Sequence, residues 1–144
     1  MEVITDRPGE SAMIVATALL DRPAHRRPPA ARVLLVDDDP AARRAVAAAL
    51  RAAGLEVTAV RDNDQAYAVL VAVQPDVLVA DLRADGLDLV RTLRAREVGV
   101  AAVAVGDRVD RVAAFQAGAD AFVAAPFGPA ELLGRITELA RIRT

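Results

Sequence analysis

The chain has 144 residues, 54% of them hydrophobic and 26% charged, with a formal net charge of −2. That composition is globular, suits one domain with a buried core, and leaves no footprint for general nucleic-acid or membrane binding. There is no cysteine and only one histidine, His25, so a disulfide framework, a thiolate metal site and a histidine-based triad or metal centre are all excluded.

The early apolar run at residues 12–20 is too short to span a bilayer. Glu2, Asp6 and Glu10 stand where a secretory signal carries basic residues, so a cytoplasmic location is expected. Ser11 is placed to cap a short helix there, although its apolar period is poor. The prolines and charges of residues 21–29 read as a linker. Its His25-Arg26-Arg27 cluster is read as solvated in preference to a contact with an acidic partner. Residues 1–31 are therefore taken as an extension with a Pro/Arg-rich linker, and residues 32–144 as the folded domain.

From Arg32 the pattern becomes regular. Residues 33–36 form a first strand, and Asp39 caps a first helix with Pro40 at its opening position, ended by Gly54. Residues 55–60 are a second strand. Asp62, Asn63 and Asp64 open a second helix, whose Ala66, Val69, Leu70 and Val73 share one face and which Pro75 stops. Residues 77–80 are a third strand ending in Asp81. A short loop through Asp85 and Gly86 leads to a third helix with Leu87, Val90 and Leu93 inward, ended by Gly99. Residues 100–105 are a fourth strand, followed by a helix over 108–117 with Val109 and Val112 inward and Gly118 as its stop. Residues 121–123 are a fifth strand, and Pro129 opens a last helix with Leu132, Leu133, Ile136 and Leu139 on one face. Five strands alternating with five helices predict an α/β fold with a parallel sheet covered on both faces. The flavodoxin-like (βα)5 arrangement, strand order 2-1-3-4-5, is the natural choice.

In that order Asp37 and Asp38 end strand 1 and Asp81 ends the neighbouring strand 3, so three carboxylates converge at one lip of the sheet. Gathered like charges need a cation to offset them, and a hard divalent ion with oxygen ligands suits a shallow, open acidic site. An aspartate beside such an ion can attack a phosphoryl group and form an acyl phosphate. Solvated turn and N-cap aspartates account well for Asp39, Asp62, Asp107 and Asp110, but poorly for Asp37, Asp38 and Asp81 together.

These residues carry a resemblance. The stretches 33–40 (VLLVDDDP), 75–82 (PDVLVADL), 117–120 (AGAD), Pro126-Phe127 and 131–136 (ELLGRI), taken in order, resemble the response-regulator receiver family of two-component signalling. The resemblance covers residues 32–144 and implies that Asp81 is the phosphoacceptor. It further implies that Asp37, Asp38, Asp81 and the backbone carbonyl of Arg83 hold Mg²⁺, that Phe122 is the aromatic switch residue, and that the Ala125–Pro126 peptide is cis. The ELLGRI segment looks most like receivers that precede winged-helix DNA-binding domains. Those dimerise through helix 4, strand 5 and helix 5, onto which Arg111, Asp120, Arg135 and Arg141 fall. The implied partners are a histidine kinase or another phosphodonor and a second copy of the chain, with no direct nucleic-acid or membrane contact. No enzyme activity is expected beyond self-phosphorylation from a phosphodonor.

Three departures set limits. Gly106 stands where the family has a Ser or Thr hydroxyl, Ala125 stands where it has a Lys, and the loop from Asp81 to Gly86 is shorter than usual. Arg83 or Arg108 could supply the missing cation; equally, Arg83 could pair with Asp81 and fill the site. Two readings therefore compete. One is an atypical phosphorylated receiver with output through dimerisation or partner binding. The other is a degenerate pseudo-receiver that associates without phosphorylation.

Overall fold

The computed structural model describes residues 30–143; the expected N-terminal helix and the linker before Ala30 lie outside them. The strands are β1 (Arg32–Val36), β2 (Glu56–Val60), β3 (Val77–Asp81), β4 (Ala101–Gly106) and β5 (Ala121–Ala124). The helices are α1 (Pro40–Ala52), α2 (Asn63–Val73), α3 (Gly86–Ala95), α4 (Arg111–Ala117) and α5 (Pro129–Arg143), with 3₁₀ turns at Leu82–Ala84 and Arg108–Asp110. The five strands form one parallel sheet in the order β2-β1-β3-β4-β5. This is the flavodoxin-like arrangement that the alternation predicts.

Strand periodicity divides the core in two. Val33, Leu35, Val77, Val79 and Val103 meet Leu50 of α1 and Leu132 and Ile136 of α5. Leu34, Val36, Leu78 and Ala102 face the other way, against Ala66 of α2, Leu89, Val90 and Leu93 of α3, and Ala117 of α4. β3 and β4 are buried along their whole length, as expected for central strands covered on both faces. Each large aliphatic side chain so buried contributes about 1.5–3 kcal/mol relative to exposure.

Local chemistry sets the element boundaries. The Asp39 carboxylate accepts from the Ala41 N–H at 3.1 Å and Pro40 begins α1, while Asp62 caps α2 by accepting from Gln65 N at 2.9 Å. Gln74, in the left-handed region, ends α2 one residue before Pro75. α3 stops at Ala95, before Gly99, because Arg96 and the left-handed Glu97 already turn the chain.

The fourth crossover differs from its predicted form. A 3₁₀ turn precedes a helix of only seven residues, and its buried side chains are Ala114 and Ala117. Val109 and Val112, expected to face inward, are 87% and 66% exposed. The alanines let α4 lie close to the sheet, and that orientation turns the larger valines outward.

Arg94 joins α3 to the α4–β5 turn. It donates to the carbonyls of Val98 (2.8 Å) and Gly118 (2.9 Å) and to the Asp120 carboxylate (3.0 Å). Asp120 also accepts from the Ala102 N–H at 2.8 Å, so the arginine and the edge of β4 share one carboxylate.

Candidate functional site

The β1–β3 register pairs Val36 with Ala80, so the next residues on each strand, Asp37 and Asp81, leave the sheet side by side. The period of two gives both side chains the α1/α5 face, like Leu35 and Val79. These are the buried charged residues among those described, at 5% and 4% exposure. A cavity of about 80 Å³ lies beneath them, lined by Ala42, Val46, Val105 and Phe127 among others.

The Asp37 carboxylate accepts from the Asp39 N–H at 3.0 Å, and its carbonyl accepts from the Arg43 guanidinium at 2.9 Å. Burial pushes the Asp37 carboxyl above its ordinary range; the bond from Asp39 opposes this, and the charge of Asp81 adds to it. Asp38 is exposed and lines no part of the cavity.

Asp81 is held by the residue two places on. Its Oδ1 accepts from the backbone N–H of Arg83 at 2.9 Å and from Arg83 Nε at 3.2 Å. Its Oδ2 accepts from Arg83 Nη2 at 3.1 Å. The guanidinium thus forks across both carboxylate oxygens, the strong bidentate form of this pair. The bonds to Asp81 push the Arg83 guanidinium still further above its ordinary range. The 3₁₀ turn Leu82–Ala84 produces this geometry by folding residue 83 back over the strand end.

The short loop also brings α3 hard against β3. A Cβ on Gly86 would lie 2.6 Å from the Asp81 carbonyl oxygen, so only glycine fits there. On the opposite face of the sheet, the space beside Gly106 is filled by Leu82. A Cβ at 106 would meet Leu82 Cδ1 at 3.1 Å and Cβ at 3.2 Å. Leu82 and the half-buried Phe122 pack on the same small cluster, formed by Ala104, Ala114 and Ala119. The Ala125 N–H donates to the Gly106 carbonyl at 2.8 Å, and the Ala125–Pro126 peptide is cis, as the resemblance implies.

The structure brings Asp37, Asp81 and Arg83 together. Among the described residues no group of three or more acidic, histidine or cysteine side chains is gathered so as to hold a metal. Mg²⁺ requires several oxygen ligands at about 2.0–2.1 Å in near-octahedral array. Both Asp81 oxygens already accept from a cation, so the residues as arranged do not fit the divalent ion. The order of residues offers the Arg83–Asp81 pair only as one alternative and shows neither the cavity nor the role of Leu82. The turn that delivers Arg83 has no signature beyond its shortness.

The residues of the expected dimer face lie on or beside α4 and α5. Arg111 stacks over the Phe115 ring at 5.7 Å, Asp120 is engaged with Arg94, Arg135 is 3.5 Å from Glu138, and Arg141 is exposed. Exposed Val109, Val112 and Phe115 add apolar surface beside Arg111. No helix among the described residues is long and apolar enough to cross a membrane.

A family model described as the response regulator receiver domain matches residues 33–137. The regulatory protein VirG of Agrobacterium tumefaciens is 42% identical over 94 residues, covering 61% of this chain and 35% of VirG. The DNA-binding response regulator MtrA of Mycolicibacterium smegmatis is 37% identical over 100 residues, 65% of this chain and 42% of MtrA. The chain thus spans well under half the length of these relatives. Among solved structures, a response regulator signal receiver domain from Bermanella marisrubri superposes with a TM-score of 0.71 at 30% identity, over 77% of this chain and 98% of that one. The receiver domain of NtrX from Brucella abortus gives 0.70 at 26% identity, over 76% and 98%.

Proposed function

The chain belongs to the response-regulator receiver family of two-component signalling, and from that membership we propose that Asp81 is its phosphoacceptor, with output through association of the domain. The observation that carries this reading is the Asp81 carboxylate itself, buried at the carboxyl end of β3 beside Asp37 and fixed by a bidentate guanidinium. Ligands bind outside strand carboxyl ends at such a switch point. One Asp81 oxygen attacks phosphorus, and the bond from phosphorus to the donor breaks with its electron pair leaving on the donor. For a histidine kinase that bond is P–N. The product is an acyl phosphate.

Arg83 serves this step as a donor. Its side chain is 58% exposed, so it can move from the carboxylate to the arriving phosphoryl oxygens. It would replace the cation that Ala125 cannot supply. The chain contains eighteen arginines and no lysine, so every side-chain cation except His25 is a guanidinium. The phosphodonor would be a histidine kinase. The associating face would be α4, β5 and α5, with Arg111, Asp120, Arg135 and Arg141 at its charged positions and Val112 and Phe115 as apolar contacts.

The test is incubation with acetyl phosphate, with and without Mg²⁺, followed by intact-mass analysis. Addition of one phosphoryl group to the native chain, absent from Asp81→Asn, supports the reading; no addition under either condition overturns it. One observation favours the second reading, a receiver fold that associates without phosphorylation. Leu82 already fills the space beside Gly106, where a switch hydroxyl would sit. In that case light scattering gives the same dimer for native chain and Asp81→Asn, whether or not a phosphodonor is present.

A further inference from the structure

We propose that Arg83 is a built-in counter-cation that occupies the divalent ion's place at Asp37 and Asp81, so that the acidic site selects against divalent metals until Arg83 leaves it. The inference rests on the receiver reading of the site, but it needs no phosphoryl transfer.

Three observations carry it. The first is valence: both Asp81 oxygens accept charge-assisted bonds from Arg83, at 3.2 and 3.1 Å, and Oδ1 accepts a third bond from the Arg83 backbone at 2.9 Å. Three of the roughly four lone-pair positions of that carboxylate are thus taken, and an incoming metal ion at the remaining one sits beside a fixed positive charge.

The second is charge. Asp37 and Asp81 are buried together, and like charges in that position require an offset. Among the described residues the two carboxylate groups accept from Arg83 and from the backbone N–H of Asp39. A guanidinium does not lose its proton in a protein, so this offset is independent of pH.

The third is the backbone. The 3₁₀ turn and the contact of Gly86 with the Asp81 carbonyl fix the Arg83 Cα above the strand end, so the side chain reaches Asp81 from its own turn. The Arg83 side chain is 58% exposed, which leaves it room to swing into solvent when something binds it more strongly.

The experiment is titration with Mn²⁺ alone, read by electron paramagnetic resonance of the free ion, on the full chain. Arg83→Ala and Arg83→Gln are expected to bind Mn²⁺ at least about tenfold more tightly than the native chain, or to saturate where the native chain does not. Asp81→Asn added to either variant is expected to erase the gain. The same weak binding, or none, in native chain and both Arg83 variants overturns the proposal. So does a gain that survives Asp81→Asn. No phosphodonor enters this titration, so its failure is separate from a failure of Asp81 to accept a phosphoryl group.

Discussion

Leu82 lies in the space that a side chain at position 106 would need, with its Cδ1 only 3.1 Å from where a Cβ on Gly106 would be. Glycine at 106 and leucine at 82 are therefore one packing solution. Gly106→Thr is expected to cost about 1–3 kcal/mol by overpacking. In a Leu82→Ala background the same substitution is expected to cost less, with a coupling energy above about 0.5 kcal/mol in a denaturation cycle. Additive costs would show that the leucine is not what excludes a hydroxyl residue.

Two glycines on helices make an opposed pair. Gly86→Ala drives a Cβ to 2.6 Å from the Asp81 carbonyl, a backbone atom that cannot turn away. Urea unfolding is expected to show a loss of about 2–3 kcal/mol. Gly134 on α5 has nothing within 4 Å of its would-be Cβ, so Gly134→Ala is expected to gain about 0.5–1 kcal/mol from backbone entropy. Equal effects at the two sites would contradict the close approach of α3 to β3.

Asp37 links stability to pH. Its carboxyl is raised above the ordinary 3.8, chiefly by burial, so the folded state resists ionising it. Stability from this group is complete below that ordinary value and falls as pH rises through the folded one. Asp37→Asn keeps the oxygen that accepts from Asp39 and removes the charge. It is expected to raise stability at neutral pH. In thermal melts the gain should shrink as pH is lowered from neutral toward the ordinary carboxyl value of 3.8. A gain constant across that range would mean that ionisation is not its source.

Arg94 has a structural task of its own. Arg94→Ala removes donors to two carbonyls and one carboxylate, and a loss of about 2–3 kcal/mol is expected. Arg94→Lys should recover little, since one ammonium cannot span Val98, Gly118 and Asp120 together. Hydrogen exchange should quicken first around Gly118, where the arginine leaves a carbonyl unpaired. Unchanged exchange there would show that the α4–β5 turn holds without the arginine.

What was legible in the sequence follows from how local each signal is. Asp39 with Pro40, and Asp62 before Asn63, mark helix starts through bonds made within three residues, and both are where the pattern placed them. The strand order follows from alternation and handedness, and β3 ends at Asp81 as read. The valines of α4 read as a buried face, but the sheet accepts only the small Ala114 and Ala117 there. The fork of Arg83 across Asp81 depends on a turn conformation and a rotamer, which residue order does not encode.

Asp81 and Leu82 are consecutive, yet they serve opposite faces of the sheet, one beside Asp37 and the other against the cluster that holds Phe122. One peptide unit joins the two sides. That unit is planar and stiff, so the acidic pocket and the packing around the aromatic ring are set by adjacent residues across one rigid link.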